Sequence, residues 1–147
     1  MNKQLLKECV QRVVSLFLEK DTDLLKLKVY EPAVSHRIAV YLEKDPLFAN
    51  QKLNFDCEYD KRFKSDKPGP NGKPIRPDVL IHKRNSDENN ILVIEVKKTR
   101  VSKHDVEKLK TLTNQKGVYK YLLGAFIHFP NTEPRYKWFF NGSETQL

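Results

Sequence analysis

Cysteine is scarce in this chain. Cys9 and Cys57 are the two present among 147 residues, and no paired spacing suggests zinc. Cys9 falls among helical apolar positions and Cys57 in an expected strand. Both read as reduced core or near-core residues rather than a disulfide, which fits a reducing compartment. The four histidines, at 36, 82, 104 and 128, show no ligand spacing either. Long apolar runs are missing. No stretch approaches the length of a membrane span. Near the start, Lys7, Glu8 and Arg12 break up any apolar signal region. The expected location is cytoplasmic, with no membrane partner. There is no internal repeat and no low-complexity segment. Acidic residues are outnumbered, 19 Asp and Glu against 27 Lys and Arg, for a net charge of +8. That surplus favours an anionic partner, nucleic acid ahead of an acidic membrane surface, although a basic surface with no partner has the same composition. The length suggests a single domain over 1–147, large enough for a real core.

What is there reads as alternating helices and strands. Leu6, Cys9, Val13, Leu16 and Phe17 recur at helical spacing, which predicts an amphipathic helix over 2–20. Residues 24–30 suit a short helix or a strand. Glu31-Pro32 opens a second helix, to about Lys44, because proline is tolerated at the first helical position. Glu31 shares a face with Val34, Ile38 and Leu42. It is either an acid favoured by the helix dipole or an acid aimed at a site beside the sheet. Residues 53–60 alternate strictly, with Phe55, Cys57 and Tyr59 on one face and Asn54, Asp56, Glu58 and Asp60 on the other. The acidic row suits solvent or a structural ion pair. Lys61–Pro74 reads as a basic loop, suited to a phosphate backbone or simply to solvent. Ser102 starts a helix with Asp105 in a capping-box-like relation and Val106, Leu109 and Leu112 on its buried face, and Gly117 ends it. The apolar run 121–129 predicts a strand covered on both sides. Arg135–Asn141 returns as an edge strand, and the tail from Gly142 is expected to fray.

Between these lies Arg76–Lys98, two strands joined by a polar turn. A turn centred on Asp87 and Glu88 would put Asp78 opposite Lys97 and Leu80 opposite Glu95. Directly paired residues point to one face, as do i and i+2 on a strand. Asp78, Glu95 and Lys97 therefore share a face near one end of the hairpin, and a one-residue slip would scatter them. Charges at the end of a buried strand are costly to desolvate and need compensation. One solution is a closed set of ion pairs. The other is a divalent cation on Asp78, Glu95 and the Val96 carbonyl, Mg²⁺ being suited to oxygen ligands and waters. Lys97 would then orient a water or stabilise developing negative charge. Arg76, Lys98, Arg100, Lys103 and Lys108 flank this region as candidates for phosphate contact.

Pro77-Asp78 followed by Glu95-Val96-Lys97 resembles the Pro-Asp…(Asp/Glu)-X-Lys signature of the restriction-endonuclease-like nuclease superfamily. The resemblance extends over about 31–141. It implies an α/β fold with a restriction-endonuclease-like core, a mixed sheet of about five strands flanked by helices, to which the first helix is an addition. It implies a nuclease that hydrolyses DNA phosphodiesters with Mg²⁺ or Mn²⁺. Asp78 and Glu95 would bind metal, Lys97 would assist hydrolysis, and Glu31 would be a further acid. DNA is favoured over RNA, and double-strand cleavage would call for a homodimer. A non-catalytic nucleic-acid-binding module on the same fold is the alternative. Gln115 and Tyr119 carry a Gln-X-X-X-Tyr spacing seen in some of these nucleases, but Gly117 between them places them across a helix end.

Overall fold

The computed structural model describes residues 1–27 and 29–147. Helices α1 (Lys3–Asp21), α2 (Asp23–Lys26) and α3 (Glu31–Glu43) come first. Strand β1 (Asn54–Cys57) and a small hairpin of β2 (Lys61–Arg62) and β3 (Ser65–Asp66) follow. The central pair is β4 (Val79–His82) and β5 (Leu92–Lys97); α4 (Lys103–Thr113), β6 (Leu123–His128), β7 (Arg135–Phe140) and β8 (Ser143–Thr145) complete the chain. Six strands form one mixed sheet in the order β1-β4-β5-β6-β7-β8. Strands β5 and β6 run parallel, and α4 is the crossover that a parallel pair requires. The protein is α/β. Among the described residues no helix is long and apolar enough to cross a membrane.

The sheet is covered on both faces because its central strands are apolar on both. Val79, Ile81, Leu92, Ile94 and Val96 pack with Leu6, Val10, Phe17, Val34 and Ile38 of α1 and α3. Leu80, Val93 and Phe126 pack with Leu109 and Leu112 of α4. Gly124 lets α4 approach closely: a Cβ there would lie 2.9 Å from Thr113 Cγ2 and 3.2 Å from Phe139 Cβ. The sites of charge therefore lie on the α4 face, at the end of β5 where the apolar layer stops.

Several expectations need correcting. The hairpin register is offset by two residues: Leu80 faces Val93, and Val79 faces Ile94. The connection is lopsided, with Asn85 and Asn89 in left-handed conformation and the Asn90 amide donating to the Tyr119 carbonyl at 2.6 Å. An offset of two keeps every side chain on its expected face. The tail does not fray; it pairs as β8 and takes the edge from β7. Ser102 is the N-cap of α4 but makes no side-chain capping bond. Cys57 is exposed, and α4 ends at Thr113, before Gly117. Asp56, by contrast, takes the structural ion pair expected of the acidic row: it is buried, pairs with Arg84 and is hydrogen bonded to His82 Nε2 at 2.9 Å.

The basic loop also holds a buried cation. Lys67 is 2% exposed, and its ammonium lies 5.4, 5.7 and 5.9 Å from the ring centroids of Tyr59, Tyr119 and Tyr121. Burial pushes its pKa down from 10.5 to about 8. Between those values the unfolded chain holds more protons than the folded one, so stability rises with pH across the window. Lys67→Met removes that slope. In urea unfolding at about pH 7.5 and pH 10, the wild type is expected to gain roughly 2–3 kcal/mol relative to the variant. A difference that does not change with pH would show that the ammonium is not desolvated in the fold.

Candidate functional site

Asp78 immediately precedes β4, and continuing the register sets it opposite Glu95 on β5. Its Oδ2 accepts a hydrogen bond from the Val96 amide at 2.7 Å, which fixes the carboxylate across the strand pair. Lys97 is two residues beyond Glu95 on the same face. The three hairpin residues expected together are therefore together. Val96 itself pairs with Ile127 in the parallel ladder.

Glu31, the first residue of α3, reaches the same end of the sheet. Its Oε2 accepts from the Lys98 amide at 3.2 Å and lies 3.9 Å from the Lys97 ammonium. Of the two roles open to this acid, the structure places it beside Lys97. Helix α4 contributes two groups that sequence reasoning assigned elsewhere. Asp105, expected as a capping residue, is buried, with Oδ2 3.5 Å from Lys97 Nζ and Oδ1 3.1 Å from Lys108 Nζ. Lys108, expected at a phosphate, is buried too, and its ammonium lies 2.9 Å from Glu95 Oε1. The charges thus alternate in sequence: Glu95, Lys108, Asp105, Lys97, Glu31. A helical signal was available, because residues 105, 108, 109 and 112 fall on one face of α4.

The set is unbalanced. Four carboxylates (Asp78, Glu95, Asp105, Glu31) meet two ammonium groups (Lys97, Lys108). Glu95 is 1% exposed, and neither of its oxygens makes an aligned hydrogen bond. Lys108 stands at ion-pair distance from Oε1 without that alignment. Burial, and then the neighbouring Asp78 charge, push the Glu95 pKa up to about 8, against the pull of Lys108. Burial raises Asp78 as well, opposed by the Val96 amide and the two lysines. For Lys97, burial favours the neutral amine, but Asp105, Glu31, Asp78 and Glu95 together outweigh it and raise the pKa. Lys108 follows the same balance, with Glu95 and Asp105 outweighing its burial. Both lysines are therefore cations at neutral pH.

Buried carboxylate oxygens without hydrogen bonds, in a cluster short of positive charge, fit a divalent cation. Among the described residues, however, no group of three or more His, Cys, Asp and Glu side chains converges as a ready-made metal cage. Asp78, Glu95 and the Val96 carbonyl are the protein ligands such an ion would have, with waters or substrate completing its shell.

The other candidate cations divide. Arg76, Arg100 and Lys103 are exposed near this end of the sheet. Lys98 is not offered to a phosphate: its ammonium donates to the carbonyls of Leu24 (3.3 Å), Leu27 (3.0 Å) and Val29 (3.0 Å). Gln115 donates to the carbonyls of Thr113 and Tyr121, and the Tyr119 hydroxyl bonds the Pro68 carbonyl at 2.5 Å. Both are tied to the backbone in the loop after α4 and beneath the β2–β3 hairpin.

No protein-family model, curated protein or solved structure matches the chain.

Removing one partner of a buried pair leaves the other charge uncompensated. Lys108→Met alone is expected to cost on the order of 3 kcal/mol at about pH 9, where Glu95 is ionised, and less near pH 7, where Glu95 can hold a proton; Lys108→Met with Glu95→Gln should cost much less at either pH. Urea denaturation of the wild type, the two single variants and the double variant measures the coupling. Additivity within about 0.5 kcal/mol would show that the two groups do not interact.

Proposed function

We propose that the chain is a metal-dependent phosphodiesterase, a nuclease of the restriction-endonuclease-like type that hydrolyses DNA. One observation carries the proposal. The buried Glu95 carboxylate, met by Lys108 at 2.9 Å but with no aligned hydrogen bond, stands opposite Asp78 and two residues before Lys97, which matches the arrangement implied by the Pro-Asp…Glu-X-Lys resemblance. Asp78 and Glu95 would hold Mg²⁺ or Mn²⁺. The ion's charge would polarise a phosphoryl oxygen and make a nearby water more acidic.

The remaining work falls to the chain's own groups. Lys97, partly exposed and held protonated by four acids, is suited to stabilise negative charge as it develops on phosphate, and poorly suited to take up a proton. Glu31 and Asp105 orient its ammonium from opposite sides. The exposed guanidinium groups of Arg76 and Arg100 and the Lys103 ammonium can hold the flanking backbone. Lys108, 2.9 Å from Glu95 Oε1, would compete with such an ion for Glu95.

A second reading keeps the nucleic-acid partner without the chemistry. It is favoured by the same lysine: with Lys108 on Glu95, the cluster is a charge network that needs no further ion to hold the sheet end together. Cleavage distinguishes the two. Purified protein is expected to nick plasmid or cut single-stranded or branched DNA with Mg²⁺ or Mn²⁺, and not with EDTA. Asp78→Ala and Lys97→Ala should each lower the rate on the order of 100-fold or more with an unchanged circular dichroism spectrum. Undiminished cleavage by both variants would refute the mechanism. Salt-sensitive DNA binding with no cleavage at any divalent ion would establish the second reading.

A further inference from the structure

An aromatic residue is held out into solvent directly beside this site. Tyr30 is 89% exposed, against 47% for Phe63, the other ring that is largely exposed. It is the N-cap of α3 and immediately precedes Glu31, whose carboxylate lies 3.9 Å from the Lys97 ammonium. One peptide separates the two Cα atoms, about 3.8 Å. The two residues therefore leave the main chain side by side at the start of α3, at the same end of the sheet as the residues proposed to act on phosphate.

Its backbone is pinned. Lys98 spends its whole ammonium on the Leu24, Leu27 and Val29 carbonyls, and its amide on Glu31. These bonds tie the segment between α2 and α3 to the end of β5. On that segment Leu27 is exposed as well, and Val101, just past β5, is a third exposed apolar residue. A half-buried cation thus ties down the main chain at Leu27 and Val29, close to the exposed side chains of Leu27 and Tyr30. Arg100 and Lys103, two and five residues beyond Lys98, are both exposed, in a chain of net charge +8.

A solvent-exposed ring next to a tied-down stretch of backbone, one residue from the acid that meets Lys97 and in a strongly basic chain, has the chemistry of a base-stacking platform. In paired duplex the base faces are stacked and closed to it. We infer that Tyr30 stacks on an unpaired nucleobase next to the phosphodiester held at Asp78, Glu95 and Lys97, so that the chain acts on single-stranded or locally opened polynucleotide. The inference rests on the nuclease reading for the phosphate and deepens it by naming the substrate class. Lys98 is the positioning residue for the platform.

The test uses the full chain with 2-aminopurine-labelled oligonucleotides in Ca²⁺ or EDTA, where binding is read without cleavage. Single-stranded DNA, single-stranded RNA and a blunt duplex are compared. Wild type is expected to quench the fluorophore in a single strand, and Tyr30→Ala to lose that quenching with about tenfold affinity. Tyr30→Trp should retain both, and duplex binding should not change. The DNA and RNA arms decide which polymer is preferred. Lys98→Met, which frees the segment, should reduce quenching per molecule bound, a readout that lost charge alone would leave unaltered. Equal quenching and affinity for Tyr30→Ala and wild type would overturn the inference, even if Mg²⁺-dependent cleavage persists. Tyr30-dependent quenching in a protein that never cleaves would sustain the platform and overturn the hydrolytic reading.

Discussion

A carboxylate buried on the central strand constrains everything around it. Glu95 is sealed between β4, β6 and α4, where it either holds a proton, as its raised pKa of about 8 favours, or has its charge met by Lys108 or an ion. Lys108 answers it from α4, which requires the helix to cross the sheet with residues 105 and 108 turned inward. Gly124 and the Leu109 and Leu112 contacts make that close approach feasible. Lys108 in turn needs Asp105, Asp105 draws Lys97, and Lys97 draws Glu31 from the opposite side of the molecule. One buried acid thus links α3, β5 and α4 through five alternating charges. The carboxyl groups of this chain and Asp78 outnumber its two ammonium groups; a raised Glu95 pKa of about 8 relieves part of that imbalance with a proton, and a divalent ion would relieve it by taking the proton's place.

The same end of β5 organises the surrounding surface. Lys97 and Lys98 are adjacent and serve opposite purposes. Lys97 faces the carboxylates on the α4 side, while Lys98 reaches back over the other side to three main-chain carbonyls. Strand alternation sends them apart, so one lysine supplies charge to the cluster and the other fixes the approach to it.

How much of this was legible from sequence depended on periodicity. The face shared by Asp78, Glu95 and Lys97 follows from alternation, and it survived a register error because the error was even. The apolar runs at 92–96 and 121–129 located the buried strands, and Glu31-Pro32 the start of α3. Long-range partners were not legible. Lys108 and Asp105 were assigned by local rules, phosphate contact and capping, whereas tertiary burial decided both. Lys98 was misplaced for the same reason: nothing in the local sequence shows that the carbonyls of 24, 27 and 29 converge on it. Lys67 was read as part of a basic surface loop, because a cation over three tyrosine rings requires knowing where the later segment at 119–121 returns. The tail at 143–145 looked polar enough to fray, but β7 offered it an open edge.

The central claim is that the charge deficit around Glu95 is filled by a divalent cation. A crystal grown or soaked with Mn²⁺ and measured at the manganese edge tests it most directly. The account predicts an anomalous peak shared by the Asp78 and Glu95 carboxylates, with the Lys108 ammonium moved away from Glu95. A map with no peak there at saturating Mn²⁺, and Lys108 still on Glu95, would contradict it and leave the cluster as a structural network of ion pairs.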